Sequence, residues 1–168
     1  KSKMNLLQLK VFFLSPLMLY MLSTSAQESA FEAMVDGLIS DHVPVLRVKE
    51  LQTTPNIILL DTRTKAEYDV SRIEHAVWVG EKDWDLKFLK KINPEQTVVV
   101  YFSVGYRSEK LMKKLVRLNF EKVFNLYGGI FDWVNQGNPV ENAHRKTDSI
   151  HGYDENFAPW VEKRVVIF

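Results

Sequence analysis

Two clusters in this 168-residue chain hold side chains able to do chemistry. The first is Asp61-Thr62-Arg63 with Glu67 four residues on, two acids and a guanidinium within seven positions. Arg63 and Glu67 have the spacing of a helical ion pair, and Asp61 sits where a strand-end acid caps the following turn. The second cluster is Ser103-Val104-Gly105-Tyr106-Arg107-Ser108, which follows the apolar run Val98-Val99-Val100-Tyr101-Phe102. It reads as a buried strand, a tight loop and the start of a helix, a layout that can hold a nucleophile over converging backbone N–H groups. A helix N-terminus attracts anions, and the Arg107 fork suits an oxyanion. The alternative is that Arg107 pairs with Glu67 or Asp61 and locks the loop.

Several classes of chemistry are excluded by composition. The chain has no cysteine, so it offers no disulfide, thiolate metal site or thiol nucleophile. His42, His75, His144 and His151 lack zinc-ligand spacing, and no metal or cofactor is expected. A net charge of +1 makes no electrostatic case for nucleic acid. A hydrolase built on Ser103 is disfavoured, because no GxSxG elbow is present and no histidine is placed to serve it.

The elements that must position these clusters follow from periodicity. Ile57–Leu60 and Thr97–Tyr101 are apolar enough to be strands buried on both faces. Val43–Val48, Ala76–Val79 and Lys122–Leu126 read as further strands, with Pro44 pushing the first toward a sheet edge. Ser29-Ala30-Phe31-Glu32 fits a capping box, followed by a helical apolar face at Phe31, Met34, Val35, Leu38 and Ile39. Thr64–Asp69, Trp84–Lys91, Ser108–Asn119 and Ile130–Asn135 read as helices, the third with Lys110, Lys113, Lys114 and Arg117 mostly on its wet face. Short strands alternating with helices predict an α/β fold, a small central parallel sheet with helices on both faces. In the tail, Tyr153, Phe157 and Trp160 are expected to anchor residues 141–168 on the domain, and Arg164–Phe168 to add a strand.

The first segment has the pattern of a targeting sequence. Lys1, Lys3 and Lys10 precede the apolar run Val11–Leu22, and Ser23-Thr24-Ser25-Ala26 supplies small residues for cleavage after Ala26. The run is shorter than the ~20 residues that span a bilayer. The expected organisation is a signal peptide over 1–26, a helical segment over 27–42, a domain over 43–140 and a packed tail over 141–168. Export to a periplasmic or extracellular space is expected, with no stable membrane span after cleavage. The alternative is an anchor through residues 4–22 with Lys10 reaching the interface.

Three stretches together resemble the rhodanese-like domain. Asp61-Thr62-Arg63, Glu67-Tyr68, Ile73 and Ala76 are similar to D-x-R-x-x-x-E-[FY] followed by H-I-x-G-A. Tyr101–Ser108 is similar to Y-C-x-x-G-x-R-S, and Gly128-Gly129 with Trp133 to G-G-x-x-x-W. The resemblance covers about residues 43–140. It implies a sulfurtransferase whose cysteine takes sulfur from a donor and passes it on as a persulfide. It also implies that Asp61, Arg63 and Glu67 frame the pocket. Counting back three from Gly105 puts the family's cysteine at Phe102. Ser71, Arg72 and His75 also depart from the family run, in what reads as a surface turn. Without the thiol, the expected role is a binding module for a protein partner or a small oxyanion, with Phe102 as plug or ligand platform. The alternative is a thiosulfate sulfurtransferase lineage inactivated by a Cys-to-Phe change. Oligomeric state and partner identity are not legible in the sequence.

Overall fold

Ser15 opens the part of the chain seen in the computed structural model, which describes residues 15–168 apart from 41, 83, 85, 106 and 107. Its side chain accepts a hydrogen bond from the Met18 N–H, and Pro16 takes the first helical position of α1 (Pro16–Asp36). The helix runs unbroken through Ser29, so the capping box expected there does not form. Of the expected apolar face, Phe31 and Val35 are buried and Met34 packs beside them, whereas Leu38 and Ile39 follow the end of the helix and still pack against the core.

Strand β1 is two residues long (Val45–Leu46), and α2 (Val48–Thr53) follows at once. The longer strand expected to Val48 is cut short because the Glu50 carboxylate accepts from the Arg47 N–H at 2.7 Å and starts a helix. Next come β2 (Ile58–Asp61), α3 (Lys65–Val70), β3 (Val77–Trp78), α4 (Leu86–Leu89), β4 (Val98–Tyr101), α5 (Glu109–Arg117), β5 (Val123–Leu126) and α6 (Gly129–Asn135). Most of these match the sequence expectation within a residue or two; α4 is shorter than the helix expected over Trp84–Lys91.

The five strands form one parallel sheet in the order β1-β5-β4-β2-β3. Register is set by alternation, because adjacent strand residues point to opposite faces. Leu59, Val99 and Tyr101 face a layer containing Phe31, Val35, Val48, Ile130 and Phe131. Leu60, Val98 and Val100 face Leu89, Leu111, Met112 and Leu115. With both faces covered, β2 up to Leu60 and β4 can be apolar, and their C-terminal ends carry both clusters of chemical interest.

The tail is more ordered than its sequence suggested. A hairpin joins β6 (Val140–Glu141) to β7 (Lys146–Thr147), and Arg72 pairs with Glu141 in an isolated bridge. Strand β8 (Ser149–His151) pairs in parallel with β9 (Val165–Ile167). The expected terminal strand therefore exists but joins β8, not the central sheet. Ile150 and Val161 complete the core on the α1 side.

Candidate functional site

The loop after β4 is built around buried groups. Phe102 is 2 % exposed, and its ring meets Tyr153 edge to face at 5.3 Å between centroids. Tyr153 in turn meets Phe157 at 5.5 Å. The three rings link the end of β4 to the tail, and Tyr153 is held there by a backbone with φ 66°.

Ser103 is fully buried, and its hydroxyl donates to Glu67 Oε1 at 2.9 Å. Glu67 Oε2 accepts from the Thr64 N–H at 3.0 Å and the Thr64 hydroxyl at 2.7 Å. That carboxylate closes the capping box of α3 and ties the helix to the loop at once.

The loop backbone is held from below by α6. Ile130 N–H donates to the Phe102 carbonyl at 3.0 Å and Phe131 N–H to the Ser103 carbonyl at 3.1 Å. These are first-turn N–H groups with no partner inside their own helix. Gly129 permits the approach: a Cβ there would lie 2.2 Å from the Phe102 oxygen, and its φ is +56°.

The far side of the loop is fastened by Asn125, a polar residue in the middle of an apolar strand. Its Nδ2 donates to the Gly105 carbonyl at 2.8 Å. Ser108 Oγ lies 2.7 Å from Asn125 Oδ1 and 2.8 Å from the same carbonyl, and its single proton serves one of them at a time. Val104 packs into the core. Tyr106 and Arg107, the other two expected loop residues, lie outside the described residues.

Asp61 and Arg63 form a second, fully buried unit. Arg63 Nη2 donates to Asp61 Oδ2 at 2.6 Å and Nε to Oδ1 at 3.0 Å. Tyr101 donates its hydroxyl to Asp61 Oδ2 at 2.5 Å. The Arg63 N–H donates to Asp61 Oδ1, so Asp61 does cap its turn. Arg63 Nη2 also donates to the Ser71 carbonyl at 2.6 Å. Burial opposes the charge on Arg63, but Asp61 outweighs it and holds the guanidinium pKa above its ordinary value. Burial, then the Asp61 charge, pushes the Tyr101 phenol well up.

Two expectations are corrected here. Arg63 pairs with Asp61 and not with Glu67, because Arg63 precedes α3 and its side chain turns back to β2. Ser71 is buried behind Arg63 and is no part of a surface turn. Sequence reasoning missed Tyr101, Thr64 and Asn125. Asn125 could have been found as the lone polar residue of a buried strand, since such a group must be hydrogen-bonded. Among the described residues no group of histidines and carboxylates is arranged to hold a metal ion.

A doubly covered parallel sheet, with an arginine–aspartate unit at the end of one strand and a glycine-backed loop at the end of the next, describes a known class. The family model for the rhodanese-like domain matches residues 45–136, and the chain belongs to that family. A sulfurtransferase from Allochromatium vinosum is 29% identical over 92 residues, which is 55% of this chain and 85% of the relative. A tRNA uridine(34) hydroxylase from Anaplasma phagocytophilum is 31% identical over 91 residues, 51% of this chain and 33% of the relative. The chain thus spans about a third of the length of that hydroxylase. Among solved structures, the BH2092 protein from Bacillus halodurans superposes with a TM-score of 0.54 at 19% identity, covering 71% of this chain and 86% of that one. A thiosulfate sulfurtransferase from Pseudomonas aeruginosa gives 0.53 at 21% identity, covering 71% and 23%. These likenesses confirm the fold.

Proposed function

We propose that this chain is a non-catalytic rhodanese-like domain that binds a protein partner. The observation that carries the reading is the side chain of Phe102. By the family motif it occupies the nucleophile's position, and it is buried with Tyr153 against it. Persulfide transfer requires a thiolate to attack the outer sulfur of a donor, keep that sulfur and release the rest as the leaving group. Phenylalanine has no lone pair for the attack, and serine forms no persulfide. The buried ring of Phe102, with Tyr153 against it, occupies the place above the loop and weighs against a small oxyanion as the ligand. A protein surface needs no such cavity.

A second reading has its own support. The loop framework of Glu67, Ser108 and Gly129 is intact around Phe102, and a sulfurtransferase is among the relatives. This fits a sulfurtransferase lineage inactivated by one Cys-to-Phe change. Assaying thiocyanate formation from thiosulfate and cyanide separates the two. The wild type is expected to give none, and Phe102→Cys only a trace, because Tyr153 still covers the position. A turnover of about 1 s⁻¹ or more from Phe102→Cys, the ordinary enzymatic range, would establish the inactivated lineage and overturn the binding role.

The leader pattern of Lys1, Lys3, Lys10 and the apolar run Val11–Leu22 supports a location outside the cytoplasm; residues 1–14 of that leader lie outside the described residues. Among the described residues no helix is long and apolar enough to cross a membrane. Mass spectrometry of the protein from its native compartment is expected to find a chain starting near Gln27. An intact leader would instead support the anchor.

A further inference from the structure

Helix α5 exposes Lys110, Lys113 and Arg117, leaves Lys114 half-buried, and buries Leu111, Met112 and Leu115. Lys110, Lys113, Lys114 and Arg117 fall three and four apart, so like charges repel along one stripe, each such pair opposing the helix. No described carboxylate lies within ion-pair distance of any of them. Since the chain carries a net charge of only +1, this face concentrates positive charge that is balanced elsewhere on the molecule.

Beside the stripe runs a groove of about 540 Å³ between α5 and the segment that leads into β1. Val43, Pro44, Met112, Val116 and Val123 line it, with Lys113 and Arg117 among its polar groups. Val116 is 59 % exposed and offers apolar surface at the groove's edge beside Lys113 and Arg117. Among the described residues lining the groove the carboxylate is that of Glu109, which accepts from the Ser40 N–H at 2.9 Å and the Ser40 hydroxyl at 3.1 Å. That leaves an apolar recess flanked by cations that have no described carboxylate within ion-pair distance, and closed at one end by an acid hydrogen-bonded to Ser40.

We infer that this groove docks an acidic segment of a partner protein, with one or two large apolar side chains in the recess and carboxylates over Lys113 and Arg117. The inference rests on the binding-module reading and supplies its surface and the chemistry of its partner. The size suits a few side chains. Charge complementarity selects an acidic partner and offsets the repulsion along α5. A recessed floor favours a peptide over an anionic bilayer, which is bound by apolar side chains that project into it.

The test is selection of short random peptides on the full chain, followed by binding of the best synthetic peptide to wild type and to two variants. These are Lys113→Glu/Arg117→Glu and Val116→Asp, all at exposed positions, with unchanged thermal unfolding as the control. Selected peptides are expected to combine several Asp or Glu residues with a large apolar residue. Affinity is expected to fall about tenfold or more in each variant and to weaken with salt. Peptides without acidic residues, or affinities within about twofold across the variants, would overturn the groove. If binding instead responded to Tyr153→Ala and not to the groove variants, the groove would be wrong and the binding role would stand. No peptide selected at all would sink both. Charge-dependent binding to phosphatidylserine vesicles without any peptide ligand would make the occupant a bilayer, and self-association lost in the double variant would make it a second copy; either overturns the peptide.

Discussion

Arg63 shows how one side chain can be essential to a fold without touching solvent. Its charge is fully buried, and the arrangement is tolerable because Asp61 meets it with two hydrogen bonds and Tyr101 satisfies the same carboxylate. Replacing such a pair by apolar groups can be nearly neutral, whereas removing one member leaves the other charge stranded. Arg63→Met is therefore expected to lose about 3–5 kcal/mol of stability by urea unfolding. Adding Asp61→Leu to it is expected to recover part of that loss. A single-variant loss below about 1 kcal/mol, the scale of an exposed pair, would show the pair to be structurally incidental. Phe102 is the opposite case: a residue whose type alone excludes the chemistry that its position implies. Its identity was plain in the sequence. Its burial against Tyr153 was not, because that contact joins residues 51 positions apart.

Helix α6 shows how an element does two jobs. Its first-turn N–H groups hold the loop carbonyls of Phe102 and Ser103, and Gly129 lets the backbones meet. The same turn carries Asp132, an acid near a helix N-terminus, ordinarily a favourable place. Here burial dominates and raises its pKa above 3.8, with the Gln136 hydrogen bond opposing the shift. A carboxyl whose folded pKa is raised burdens the native state above that pKa. The burden is shed as pH falls through the folded value and is gone below the unfolded one. Asp132→Asn keeps an acceptor for Gln136 and has no charge to bury. It is expected to match or exceed the wild type in Tm at pH 7, by up to about 2 °C. The difference is expected to shrink on acidification toward pH 4. An advantage that grew toward acid pH would contradict the sign. At this scale the sequence was most legible: β2 and β4 are short apolar runs bounded by turn or polar residues, and α5 carries a helical periodicity. It was least legible in Arg47–Val48, where a single carboxylate hydrogen bond converts strand to helix.

Across the whole molecule, the tail changes what the site can be. Strand β8 and the rings of Tyr153 and Phe157 bring residues 149–168 onto the loop, so the position that the motif gives to a nucleophile lies beneath the chain's own C-terminal segment. Helix α5 packs on the opposite side of the sheet from Tyr153 and Phe157, which is why the proposed binding surface is sought there. Local patterns in the sequence determined the alternation of strands and helices, the family motifs and the absence of a sulfur nucleophile. Each depends on residue type and short spacing alone. Only the tertiary structure decided that Arg63 chooses Asp61 over Glu67, that Asn125 and Ser108 fasten Gly105, and that Tyr153 covers Phe102. Those choices depend on which side chains the packed sheet brings within hydrogen-bond or ring-contact distance. Sequence separation does not encode that distance.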